Sequence, residues 1–364
     1  VIFGIIFLVS QAHIFKHQAW EGEVVSPHVE LGTRAVGEYL SPKLKTGDAR
    51  WYLELATSGY DFSDVSVKKM RNWVFFPLLP SLIALLSSVF GSVLLAGLIL
   101  SNFCFFVFLI LLNEYCKEIR LSDEQTNLVL WLISFFPVSY FFSLPLTESL
   151  FATLLCSSFL LLKRRRIYTS SFLLALCILT RPTGLLVAPA FLLAFWINLN
   201  PKLDKYFIYF LPSGLSVLAI TSYFYLHTGD PLAFVHNQVF WDRSGSILSL
   251  VKKLAEQPNI ILTGWNFILL NLTAFLTALI AVGYFIKKKE WDHAAMVFLP
   301  IAAAVNTGSV LSMTRFIMPL FPFAIFLAQI ATTPSRQRAI LVIFAALLGT
   351  MTLLFALQVT PAMA

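Results

Sequence analysis

Residues 82–112 read LIALLSSVFGSVLLAGLILSNFCFFVFLILL. The stretch has no charge and no proline, and only small-residue breaks interrupt it. A transmembrane β-barrel strand would alternate apolar and polar positions over roughly 10 residues. No such alternation is present, so the run predicts helix in hydrocarbon, where only helices and closed barrels satisfy the backbone. The whole chain agrees with this stretch. Of its 364 residues, 58% are hydrophobic and 12% charged, 35 are Phe, and the mean hydropathy is +0.79. Soluble domains carry roughly 25% charged residues and 45–50% apolar ones. A soluble enzyme, a disordered chain and a secreted disulfide scaffold are therefore excluded. The expected fold is all-α, a polytopic integral membrane protein forming a single domain over 1–364.

Apolar stretches fall at 1–15, 74–90, 92–113, 127–143, 147–162, 171–197, 206–226, 261–286, 293–310, 315–331 and 339–357. A span needs roughly 17–25 residues, so these predict about 10–12 hydrophobic helices, not all of them crossing fully. Pro137, Pro145, Pro182 and Pro189 interrupt several. The 171–197 run reads as one long span or as two short ones broken at Arg181-Pro182. Val1–Val9 reads as the remainder of a first span or of an uncleaved anchor.

The net charge of +7 follows the positive-inside rule rather than a nucleic-acid surface. Lys163 to Arg166, Lys202 to Lys205, Lys287 to Lys289 and Arg336 to Arg338 form short basic loops placed inside, and Lys117 to Arg120 weakly agrees. Parity then puts outside a large first loop (11–73), the Pro145–Ser149 turn, a second loop (227–258) and the turn Ser312–Arg315. Between Val74 and Leu112 parity fails unless one segment is short or re-entrant. Cys104, Cys116, Cys156 and Cys177 lack metal-ligand spacing and read as small core residues. No His/Glu metal spacing and no Gly-rich phosphate loop occurs. The sequon Asn271-Leu272-Thr273 lies in an apolar span and carries no meaning as a glycosylation site.

Five constellations on the outer side could carry chemistry. Asp48 opens a short interfacial helix with Trp51 and Tyr52 on an aromatic face, as a helix cap or as a reactive carboxylate. Glu148 stands nearly alone in apolar sequence, where an ionisable residue is costly; its plainer role is a helix N-terminal acid. Arg181 beside Pro182 suggests a cation at a broken helix, or an arginine snorkelling to the headgroups. Gly229-Asp230-Pro231 is a turn signal, followed by Gln238, Trp241, Asp242 and Arg243 as a sugar-facing surface or an interfacial belt. Arg315 opens a span as a phosphate clamp or an interfacial anchor.

In order and spacing, these motifs resemble the PIG-V family of mannosyltransferases, particularly its bacterial relatives, within the GT-C superfamily. The resemblance rests on Asp48-Ala49-Arg50-Trp51-Tyr52 with Gly59-Tyr60, Phe75-Phe76-Pro77 with Pro80, and Thr147-Glu148-Ser149-Leu150-Phe151. It continues through Thr180-Arg181-Pro182-Thr183-Gly184, Gly229 to Phe234 with Gln238 and Trp241, and Arg315-Phe316 with Pro319. It covers about 45–320. The family has Trp where Gly47 stands. The resemblance implies a GT-C-like fold with a large first outer loop, and transfer of a hexose, mannose in the family, from a polyprenyl or dolichyl phosphate to an acceptor hydroxyl with inversion. It implies Asp48 as general base. Arg181 and Arg315 would face the leaving phosphate, Glu148 would orient a sugar hydroxyl or hold an arginine, and Trp51, Tyr52, Gln238 and Trp241 would contact substrate. The expected partners are membrane lipids, a lipid-linked sugar donor and an acceptor the sequence does not name; no nucleic acid, metal or cofactor is implied. The expected location is a bacterial plasma membrane, or an ER membrane in a eukaryote, with the site on the outer or lumenal face. The rival class is a lipid or sugar transporter, which should place ionisable residues at mid-membrane and show inverted repeats. No repeat is visible in the sequence.

Overall fold

The computed structural model describes residues 41, 43–199, 207–241, 243–256 and 268–357. The expectations for Val1–Val9, residues 11–40 of the first loop, Lys202 to Lys205, Asp242 and Pro258 lie outside the described residues. Within them the chain is helical throughout, with no strand.

The 82–112 stretch forms two helices, α2 (Leu78–Phe90) and α3 (Val93–Glu118), which follow α1 (Asp48–Ser58). The break falls at Gly91-Ser92. Gly91 adopts the left-handed conformation and closes α2 on the Ser87 carbonyl at 2.8 Å, while the Ser92 hydroxyl caps α3 by accepting from Leu95 N–H. At 1.5 Å per residue α2 spans only about 20 Å, against a hydrocarbon core of about 30 Å. The short segment that topology parity demanded between Val74 and Leu112 is therefore α2. Helix α3 turns Ala96, Gly97, Ser101 and Cys104 inward and leaves Phe103, Phe106 and Ile110 exposed. Small residues let helices approach closely, and the exposed phenyl groups suit hydrocarbon.

The chain continues through α4 (Asp123–Ser134), α5 (Thr147–Lys163), α6 (Ile167–Ile178), α7 (Thr183–Leu199) and α8 (Leu211–Thr228). After a single turn, Ala233–His236, come α9 (Ile247–Glu256), α10 (Ile268–Lys287), α11 (Trp291–Val305), α12 (Met313–Ile317), α13 (Pro322–Ile330) and α14 (Pro334–Ala356). Among the described residues, three helices are long and apolar enough to cross a membrane: α3, α10 and α14. Of the expected set of about 10–12 hydrophobic helices, not all crossing fully, these three are the candidate spans among the described residues. Helices α2, α6, α7 and α11 are apolar but shorter. The cause is local. Glycine and proline cut runs that hydropathy alone joins, and the 171–197 run becomes two helices broken at Leu179–Pro182.

Helix α5 is the axis of the fold. Nearly every residue from Thr147 to Leu160 is buried, and Thr153 donates its hydroxyl to the Cys104 carbonyl of α3 at 2.7 Å. The four cysteines are free and buried, as small core residues should be. Helices α6 and α7 fold back on each other at Gly184, where a Cβ would stand 2.4 Å from the Cys177 carbonyl and 2.7 Å from Ile178 Cα. Those neighbours are backbone and have little room to give. Gly184→Ala is expected to cost about 3 kcal/mol, the upper end for overpacking, read as an earlier thermal unfolding of the purified protein. Gly214→Ala in α8 is the control, because nothing lies within 4 Å of its added Cβ.

Candidate functional site

One end of the bundle gathers α1, the start of α5, the α6–α7 break, α12 and the 3-10 turn Asn237–Trp241. Their side chains enclose a cleft of about 100 Å³ lined by Asp48, Tyr52, Arg181, Gln238, Trp241 and Arg315. Sequence separations of up to 267 residues close in a single network of ion pairs.

Asp48 is the first residue of α1, after the N-cap Gly47, and places a carboxylate in the first turn; its side chain accepts no backbone N–H among the described residues. Oδ2 instead accepts from Arg315 Nη1 at 2.6 Å. Oδ1 accepts nothing among the described residues, and the carboxylate is 28% exposed to the cleft. Gly47 precedes it at φ 55°, ψ −140°, a backbone open to glycine and strained for any larger residue. The tryptophan of the resembled family would not sit here without moving Asp48.

Glu148 lies in the first turn of α5 and is fully buried. Its Oε1 accepts from Arg315 Nε at 2.6 Å and from Arg181 Nη1 at 3.3 Å. Oε2 is buried with no partner among the described residues. Two guanidiniums and the positive helix end offset the hydration that such a buried carboxylate loses. Arg181 does not snorkel outward. It is 8% exposed, turned to Glu148, and its guanidinium lies 5.5 Å from the ring centres of both Phe151 and Phe316.

Arg315 was expected to open a span. It stands instead in the five-residue α12, which ends before Pro319. Asn271 on α10 fixes that turn, its Oδ1 accepting from the Thr314 N–H at 3.0 Å and the Thr314 hydroxyl at 2.9 Å. The dismissed sequon residue is thus a positioning residue for Arg315. Nothing in the sequence pointed to it, because its partner lies 43 positions away.

Aromatic rings form one wall. Phe75 meets Trp241 at 5.2 Å, Tyr52 at 4.9 Å and Trp51 at 6.1 Å between ring centres. Tyr52 and Trp241 line the cleft, whereas Trp51 packs behind them against Trp241 and Phe75. Trp51 therefore supports the wall rather than forming its face, a correction to its expected contact with substrate. Burial holds the Tyr52 phenol well above its usual range, and the neighbouring Thr147 hydroxyl opposes this only in part. Tyr52 is thus a neutral donor at any ordinary pH.

Two further arginines stand beside the cleft. Arg243 lines the cleft mouth, donates to Gln238 Oε1 at 3.4 Å and stands 5.7 Å from the Phe316 ring centre. In the sequence it belongs to the stretch read as a sugar-facing surface or an interfacial belt. Arg71 is 1% exposed and gathers the carbonyls of Asp61, Ser63 and Asp64. Its backbone N–H donates to Asn237 Oδ1 at 3.1 Å, which ties residues 59–73 to the Asn237–Trp241 turn. Arg71→Met is expected to cost about 1.5–3 kcal/mol, the range for bonds to a charged group, and to show as faster proteolysis within 59–71. Beside this turn, the Asp230 carboxylate accepts from the Leu232 N–H at 2.9 Å and meets His236 Nδ1 at 2.6 Å. Burial pushes its carboxyl up, but the bonds from His236 and the Leu232 N–H outweigh this and hold it below its usual value.

No protein-family model, no curated protein and no solved structure matches the chain. The functional reading rests on the geometry.

Among the described residues the charges at the cleft do not cancel. Two carboxylates, Asp48 and Glu148, face three guanidiniums, Arg181, Arg243 and Arg315. One positive charge is in excess, beside an exposed carboxylate oxygen and an aromatic wall. Such a set can bind a monoanion, stack an apolar face and accept one proton. Among the described residues no three His, Cys, Asp or Glu side chains form a metal shell.

Proposed function

We propose that the protein is a membrane glycosyltransferase that moves a hexose from a polyprenyl-phosphate donor to an acceptor hydroxyl with inversion. The observation that carries this reading is the Asp48–Arg315–Glu148–Arg181 network, together with Arg243 at the cleft mouth as a spare guanidinium beside an accessible carboxylate oxygen. A sugar-phosphate diester carries one negative charge, which the spare guanidinium complements. Arginine presents planar N–H forks suited to phosphate oxygens.

The acceptor hydroxyl oxygen bonds to the anomeric carbon as the bond from that carbon to the phosphate oxygen breaks. The proton passes to Asp48 Oδ1, and the lipid phosphate leaves with the bonding electrons. Arg181, Arg243 and Arg315 stabilise the charge growing on it. In an oxocarbenium-like transition state the nucleophile sheds its proton late, and a carboxylate suffices as the base. Glu148 holds both arginines at their stations. Trp241, Tyr52 and Phe75 offer the apolar wall against which a sugar ring packs, and Gln238 offers an amide to its hydroxyls.

The test uses membranes containing the protein, incubated with labelled polyprenyl-phosphate mannose or glucose and native lipid extract. Transfer of label to a new lipid or polymer product, at a rate rising with the amount of protein, is expected. Passage of the intact donor across sealed vesicles without transfer would overturn the reading in favour of a transporter.

A further inference from the structure

Helix α9 divides its surface among three surroundings. Leu250 is buried and Leu254 half-buried, and both pack on the core of the bundle. Ile247, Leu248 and Val251 form the next face and are exposed, Leu248 by 75%. Lys252 and Glu256 lie on a third face, also exposed, and pair with each other at 3.7 Å. At 3.6 residues per turn the exposed apolar strip runs between the packed face and the charged one. The helix is about 15 Å long, half the hydrocarbon core of about 30 Å, so it does not cross.

The backbone fixes α9 at the cleft end of the bundle. The Gly245 N–H donates to the Thr307 carbonyl at 2.8 Å. A Cβ on Gly245 would stand 2.7 Å from Gly308 Cα, so the two loops touch backbone to backbone. One loop leads on to Ser312, which lines the cleft, and the other carries Arg243 at the cleft mouth. Helix α10, long and apolar enough to cross a membrane, starts at this same end, where its Asn271 bonds Thr314 beside Arg315. Leu269 in its first turn is exposed, as are Leu276 and Ile280 farther along. The lipid-facing surface of this span thus begins at the depth of the cleft, where α9 starts.

We propose that α9 lies along the headgroup–acyl boundary of the leaflet on the cleft side. Ile247, Leu248 and Val251 enter the acyl chains, and the charged face meets headgroups and water. Such a boundary suits a short helix whose exposed surface is apolar on one side and charged on the other. Lys252 and Lys253 against Glu256 leave the helix a positive charge that anionic headgroups complement. Through the Gly245–Gly308 contact the same seat sets the cleft mouth, with Arg243, at headgroup depth. The inference does not rest on the transferase reading, since it concerns only where α9 lies.

The experiment places fluorophores on single cysteines of the full-length protein. Because Cys104, Cys116, Cys156 and Cys177 are buried, the folded wild type should take up little label. Leu248→Cys, Val251→Cys, Glu256→Cys and Ser244→Cys are all at exposed positions. Each is labelled and placed in nanodiscs of phosphatidylcholine and phosphatidylglycerol. Labels at 248 and 251 are expected to lose emission to bromine on the lipid chains and to resist aqueous iodide. The label at 256 should show the reverse, and the label at 244, beside Arg243, should be quenched by a nitroxide on the headgroup. Quenching by iodide at 248 and 251, with none by brominated chains, would overturn the proposal. So would shielding of both from either quencher, the result expected if a second copy or another protein covers that face. A label at 244 untouched by the headgroup nitroxide would contradict the depth assigned to the cleft mouth.

Discussion

Glu148→Ala is expected to lower stability by about 3–5 kcal/mol, the cost of removing one partner from a buried ion pair. Its Oε1 is the common acceptor for Arg315 and Arg181, and the residue is fully buried. Removing the carboxylate leaves two guanidiniums facing each other with no anion between them. One of them would swing to Asp48 or into the cleft, and the α6–α7 break would loosen with it. Glu148→Gln keeps an oxygen acceptor at nearly the same place and should cost less, while still removing the charge. The measurement is the midpoint of heat-induced unfolding in detergent. The order wild type, then Gln, then Ala is expected. Equal midpoints for wild type and Ala would mean that the pairs contribute nothing to holding this end together.

Arg315→Lys is expected to reduce sugar transfer about 10²–10³-fold, the effect of losing one preorganised charge-stabilising donor. The guanidinium bonds Glu148 through Nε and Asp48 through Nη1, both at 2.6 Å. A lysine ammonium is a single point and cannot hold two carboxylates in that fork geometry. The loss should appear in kcat more than in KM, because the charge on the phosphate grows in the transition state. Arg181→Lys should be milder, since Arg181 makes one longer bond of 3.3 Å to Glu148. Initial rates for the two variants, at matched expression, check the order. A larger loss for Arg181→Lys would exchange the roles of the two arginines.

The residues of the candidate site were more legible in the sequence than the helices that carry them. An isolated Glu148 after Pro145 and an Arg181 beside Pro182 are costly in apolar surroundings, and that cost marked them before any geometry was known. The structure gives each its partner: Glu148 holds both arginines, as one of the two roles anticipated for it. Asp48 was ambiguous between cap and reactive group, because both sit at a helix start. The structure adds the bond to Arg315 and leaves the carboxylate in the first turn of the helix. Asn271 could not be found beforehand, because its partner Thr314 lies 43 positions away, and nothing in the sequence set Arg71 apart from the other charges of its loop. Helix lengths misled for a different reason. Hydropathy sums over a window and passes through Pro319, whereas the backbone stops there.

The central claim is that Asp48 receives the acceptor proton in transfer from a lipid phosphate. It is tested most directly by initial rates of label transfer from polyprenyl-phosphate hexose, measured for wild type and Asp48→Asn in parallel, normalised to folded protein. Asparagine keeps the shape and an acceptor for Arg315 but cannot take a proton. The account predicts a fall of about 10²–10⁴-fold, the range for a lost general base. Transfer by Asp48→Asn at the wild-type rate would contradict it.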